Sequence, residues 1–205
     1  MSEAYQNFAK EVFGQMKDQI GGALNAAQDM PVLVVNGYEH VDGGLESALD
    51  FFTSAQNERP ALGAAYPMIA SIQASADLAG KENVLVSFEF DQQTLQERAA
   101  MVQQTIDDPH LSLEDMLEQQ GWEGRPIYYT MEFALKQGFE ITGSDPRRGD
   151  VNDVNFPPYD PRRLNAEIDA LSAQATRTED PPKIVVHAAG PAHFGTLQGY
   201  DIGTV

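Results

Sequence analysis

Four short runs of apolar, largely β-branched residues occur at 31–35, 83–90, 139–143 and 183–189, and segments with helical spacing separate them. This alternation is what most limits the fold. Strands that alternate with helices form βα units, and βα units build a mainly parallel sheet. The sequence therefore predicts an α/β fold, with a central sheet of four or more strands flanked by helices. The first run, 31–35, has no polar alternation and reads as a strand buried on both faces.

The helical segments carry their own signals. Tyr5, Phe8, Val12, Met16 and Ile20 share a face, with Gly21 and Gly22 as the expected stop. Leu45, Ala48, Leu49 and Phe52 mark a second helix. Pro67 reads as the opening of a third, which runs to Gly80. Thr94 and Glu97 have capping-box spacing. Ser112 to Gly121, Pro126 to Gly138 and Pro161 to about Ala175 each pair a start signal with a stop. Residues 147–158 are rich in Gly, Asp, Asn and Pro and read as a long loop. No linker divides the chain, so residues 1–205 are expected to form a single domain; 42% hydrophobic content suits one real core.

Charge and composition narrow the function. A net charge of −18 repels phosphate backbones and anionic lipid, which disfavours nucleic acid and membrane surfaces as partners. The absence of cysteine removes thiol nucleophiles and zinc–thiolate sites. No run is long enough to span a membrane, and no Sec-type leader is visible. The expectation is a soluble protein made in the cytoplasm, with secretion by a route lacking a Sec signal left open.

Parallel sheets place ligands beyond the carboxyl ends of their strands. The first run delivers Glu39 and His40 there, the second Glu89 with Asp91 close behind, the third Asp145 and Arg147, and the last His193. His40 and His193 close two copies of one spelling, Gly37-Tyr38-Glu39-His40 and Gly190-Pro191-Ala192-His193. Each residue also has a structural reading. His40 serves equally as a turn residue, Glu89 as half of a structural ion pair, Asp145 as a cap before Pro146, and Arg147 as a solvated cation. His187 lies inside its strand, where a satisfied core histidine is the expectation, and His110 reads as surface. Of Tyr128 and Tyr129, one ring is expected to pack and the other to line a pocket, while Trp122 either walls a cleft or covers the core edge.

With these residues in place, the chain resembles the TraB/Tiki, ChaN and erythromycin-esterase superfamily from the first strand to His193. The two Gly-x-x-His segments are similar to those of the TraB/Tiki branch, as is the glutamate closing an apolar strand in Phe88-Glu89-Phe90-Asp91. The helix, glycine, strand and aspartate from Tyr129 through Gly138 to Asp145 are similar as well. The esterase and ChaN branches favour a glycine–glutamate pair followed by histidine; here Tyr38 intervenes and Glu39 abuts His40. The resemblance implies an α/β fold and one of several activities: metal-dependent peptidase, metal-free ester hydrolysis, haem binding, or action as a secreted bacterial effector.

The expected chemistry is therefore hydrolytic, on a small-molecule or protein substrate. His40 would act as general base on water, with Glu39 or Glu89 fixing its tautomer. Arg147 or protonated His193 would stabilise the oxyanion, with Asp145 close by. In a metal-dependent version His40, Glu89 and His193 would hold a divalent ion. The alternatives are an effector that uses the same pocket to bind a host protein, and haem binding through His40 or His193 with Tyr38.

Overall fold

The computed structural model describes residues 3–28, 30–37, 60–122, 124–145 and 161–189. Six helices are described: α1 (Glu3–Ala27), α2 (Pro60–Ala79), α3 (Gln92–Asp107), α4 (Leu113–Gln120), α5 (Pro126–Gln137) and α6 (Pro161–Ala175). Four strands join them: β1 (Val32–Gly37), β2 (Val84–Phe88), β3 (Glu140–Gly143) and β4 (Ile184–Ala189). All pairings are parallel, in the order β1-β4-β2-β3. The α/β fold read from the alternation of runs is the observed one. None of the described helices is long and apolar enough to cross a membrane.

Side chains alternate across a strand, so β2 and β4 each feed both faces of the sheet. Val84, Val86 and Phe88, with Ile184, Val186 and Ala188, enter the large core shared with α1 to α5. Leu85 and Val185 turn the other way and meet Leu171 of α6, with Ala175 packed alongside. The two faces differ in character. The first is broad and apolar; on the second, the described residues form an apolar patch that gives way to Ser87 and His187 toward the carboxyl ends of the strands.

Start and stop signals with a local physical cause hold. Ser112 accepts from the Asp115 amide at the start of α4, and Gly121 ends that helix in the left-handed conformation. Pro126 opens α5 and Gly138 closes it in the same conformation. Four expectations are revised, three by tertiary context and the α3 cap by a neighbouring residue. α1 runs through Gly21 and Gly22 to Ala27, and Gly21 faces Leu78 of α2. Two glycines cost about 1 kcal/mol each in a helix interior, which packing against α2 offsets. Pro67 lies inside α2, which starts earlier at Pro60. The cap of α3 is Asp91, whose carboxylate takes the Thr94 amide at 3.0 Å and the Thr94 hydroxyl at 2.6 Å, so Thr94 is a partner of the cap. β1 is an edge strand, and Leu33 is 48% exposed, so it is not buried on both faces.

The aromatic expectations resolve toward packing. Tyr128 and Tyr129 are both buried. Trp122 covers the core edge, stacked on Tyr128 with centroids 5.2 Å apart and with the Arg98 guanidinium 3.4 Å over its ring. Burial pushes the Tyr128 hydroxyl above its ordinary pKa, and Arg98 and Arg125 pull in the opposite direction. His110 is exposed in the turn after α3. The second helix of the sequence reading and the 147–158 loop lie outside the described residues.

Two predictions follow from the β3 side. The end of β3 is pressed against the turn after β2: a Cβ at Gly143 would overlap the Phe90 carbonyl oxygen, a backbone atom with nowhere to swing. Gly143→Ala is expected to cost about 1–3 kcal/mol, read from the urea midpoint at unchanged slope. At the start of β3, Arg177 grips Glu140 with both guanidinium nitrogens, one at 2.8 Å. The hydrogen bond from Arg177 holds the Glu140 carboxyl below its ordinary value. A lowered folded value means that the stabilisation is complete above 4.5, the ordinary value, and fades as pH falls through the folded one. The pair is largely exposed, so Glu140→Gln should lose less than about 1 kcal/mol at neutral pH. The difference from wild type should close in acid unfolding curves below pH 4.5.

Candidate functional site

The carboxyl edge of the sheet gathers what the sequence analysis sent there, as far as it is described. β1 and β4 are neighbours, and their register pairs Gly37 with Ala189. The strands that precede the two Gly-x-x-His histidines therefore end side by side, about 4.8 Å apart. His40 follows Gly37 by three residues and His193 follows Ala189 by four. Tyr38, Glu39, His40, Arg147 and His193 themselves lie outside the described residues.

Glu89 and Asp145 are described, and both are buried, at 6% and 4% exposure. β2 ends at Phe88, so Glu89 stands just past the strand rather than within it; its amide donates to the Ala188 carbonyl of β4 at 3.1 Å. Asp145 follows β3, and its amide donates to the Phe90 carbonyl at 3.1 Å. The Ser144 amide donates to the Phe88 carbonyl at the same distance. The two carboxylate-bearing turns are thus stitched to each other and to β4. Asp91 does not join them as a site residue, because it is committed to capping α3.

Behind this edge lies a chain of buried polar groups that sequence reasoning did not assemble. His187 is 3% exposed. Its Nδ1 is 3.2 Å from Ser87 Oγ on the neighbouring strand, where the register sets the two residues opposite each other. Its Nε2 is 3.3 Å from Glu167 Oε1 of α6, itself 3% exposed. With Nε2 donating to the carboxylate, Nδ1 is left to accept from the Ser87 hydroxyl. Glu167 Oε1 also lies 3.2 Å from Ser144 Oγ. That hydroxyl is 3.1 Å from the Phe88 carbonyl too. The carbonyl already accepts the Ser144 and Phe90 amides, so the hydroxyl proton is available to Glu167.

His187 is thus a buried histidine with a partner at each ring nitrogen. A sequence signal for the network did exist. Ser87 and His187 are the polar interruptions of two apolar strands, and Glu167 stands four residues before Leu171, on the same helical stripe. The register that joins them is a tertiary fact. Chemically, the chain cannot act as a nucleophile–base pair on a bound substrate as it stands, since Ser87 has no exposed surface. Among the described residues, no three of His, Asp and Glu are grouped as an ion would need. Two of the three expected metal ligands, His40 and His193, lie outside them.

Removing the imidazole takes an acceptor from Ser87 and a donor from Glu167, both buried. His187→Leu should therefore cost about 2–4 kcal/mol in chemical denaturation. Replacing Glu167 with leucine as well should cost less than the sum of the two single changes, with a coupling of about 1 kcal/mol or more.

Among known proteins, the chain matches no family model, no curated protein and no solved structure.

Proposed function

We propose that this chain is a hydrolase whose site lies beyond the carboxyl ends of β1, β4, β2 and β3. The observation that carries the reading is the register at that edge. β1 and β4, the strands that precede His40 and His193 in the chain, are paired at Gly37 and Ala189, and β4 is bonded to the Glu89 turn, which is stitched to that of Asp145. A histidine with an ordinary pKa near neutrality is suited to take a proton from water, and a nearby carboxylate fixes which ring nitrogen is free to do so.

In this reading His40 is the general base, and Glu89 or Glu39 orients it. His193 in its protonated form, or Arg147, carries the negative charge that develops on the substrate oxygen. Asp145, buried just past the end of β3, would support that cation. A divalent ion, where one is bound, would be held by His40, Glu89 and His193 and would lower the pKa of its water. The likeness of the two Gly-x-x-His segments and of Phe88-Glu89-Phe90-Asp91 to the TraB/Tiki branch supports the same assignment of residues.

The test is turnover of chromogenic esters and short peptides, with and without added manganese or zinc. His40→Ala should abolish turnover while circular dichroism and melting temperature stay at wild-type values. Glu89→Gln should lower kcat by about two orders of magnitude. Full activity of the His40→Ala protein would sink the proposal.

A further inference from the structure

We infer that Glu167 is a positioning residue, which aligns Glu89 and Asp145 by tying α6 to the turns that carry them; the inference deepens the hydrolase reading and rests on it. Three observations support it. First, α6 is the only described helix on its face of the sheet, and among the described residues its buried apolar anchorage is Leu171 against Leu85 and Val185. The opposite face is held by a core drawn from five helices. Second, a polar joint among the described residues runs through one carboxylate of α6. Glu167 meets His187 of β4 at 3.3 Å and Ser144 at 3.2 Å.

Third, the groups that Glu167 holds adjoin the proposed site. Ser144 immediately precedes Asp145, and its amide and hydroxyl both lie 3.1 Å from the carbonyl of Phe88, which immediately precedes Glu89. A shift of Glu167 therefore moves the two carboxylate-bearing turns together. His187 does not approach substrate in this scheme. It presents Nε2–H to the acceptor-only carboxylate of Glu167, which leaves Nδ1 to accept from the Ser87 hydroxyl.

The geometry makes a local prediction that a general loss of stability would not produce. The amides of Glu89, Ser144 and Asp145 report on the turns directly, because each donates to a named carbonyl across the edge. In hydrogen exchange followed by NMR, Glu167→Ala should speed exchange at these three amides about tenfold or more. Amides of α5, on the far face, should keep their wild-type rates. Glu167→Gln, which keeps an acceptor oxygen, should fall between the two. On any ester or peptide that the wild type hydrolyses, Glu167→Gln should lower kcat with KM little changed, as expected when alignment rather than binding is lost.

Unchanged exchange at the three amides in Glu167→Ala, or equal acceleration throughout the sheet, would overturn the inference. So would the same local pattern in Leu171→Ala, since α6 docking in general would then be the cause. The exchange arm needs no substrate. A wild type that hydrolyses nothing would therefore count against the hydrolase reading alone, and exchange would still decide the role of Glu167.

Discussion

The parallel pairing of β2 with β4 joins residues a hundred positions apart, as in the contact of Ser87 with His187, and the rest of the molecule takes its place from that pairing. β4 separates β1 from β2, so the two edge strands, β1 and β3, sit on opposite sides of a central pair. Because the pairing is parallel, all four strands end at one edge. Because both strands alternate, the same pair sets the apolar core on one face and the polar chain under α6 on the other. A contact of such sequence separation carries a high loop-closure entropy and forms only with much of the intervening chain in place. The core of α1 to α5 is what offsets that cost.

That division of labour explains where the sequence was legible. The signals at Ser112, Gly121, Pro126 and Gly138 came through intact, because they act within one turn of chain, while the Thr94 capping box yielded to Asp91 three residues earlier. Gly21, Gly22 and Pro67 are local breakers, yet both helices continue through them, because α1 and α2 pack together and with the core. The edge position of β1 was hidden for a different reason. An apolar run reads the same in the centre of a sheet and at its margin, and only strand order separates the two cases. Val32 packs inward while Leu33 faces out at 48% exposure.

The candidate site divides in the same way. Glu89 and Asp145 could be sent to the carboxyl edge by strand order along the chain alone, and both stand there, buried. The pairing of Gly37 with Ala189 was foreshadowed by the repeated Gly-x-x-His spelling. Glu167 was not, because it sits in a helix whose other signals concern only its start and end. Its meaning comes from the register that puts His187 beside Ser87 and from the packing that lays α6 across both. A lone histidine inside an apolar strand identifies its partners only once its neighbours in space are known.

The contrast between the two faces of the sheet bears on how such a site could work. An apolar interface is tolerant of substitutions that keep its volume, because dispersion and burial are non-directional. A buried carboxylate between an imidazole and a hydroxyl is directional, and small displacements forfeit much of its hydrogen bonding. Buried polar joints of this kind are weak contributors to net stability, yet they specify one arrangement among several close ones. The molecule places its tolerant interface where mass must be held together, under α1 to α5. Its directional interface lies next to Glu89 and Asp145, and it ties the turns that carry them to α6.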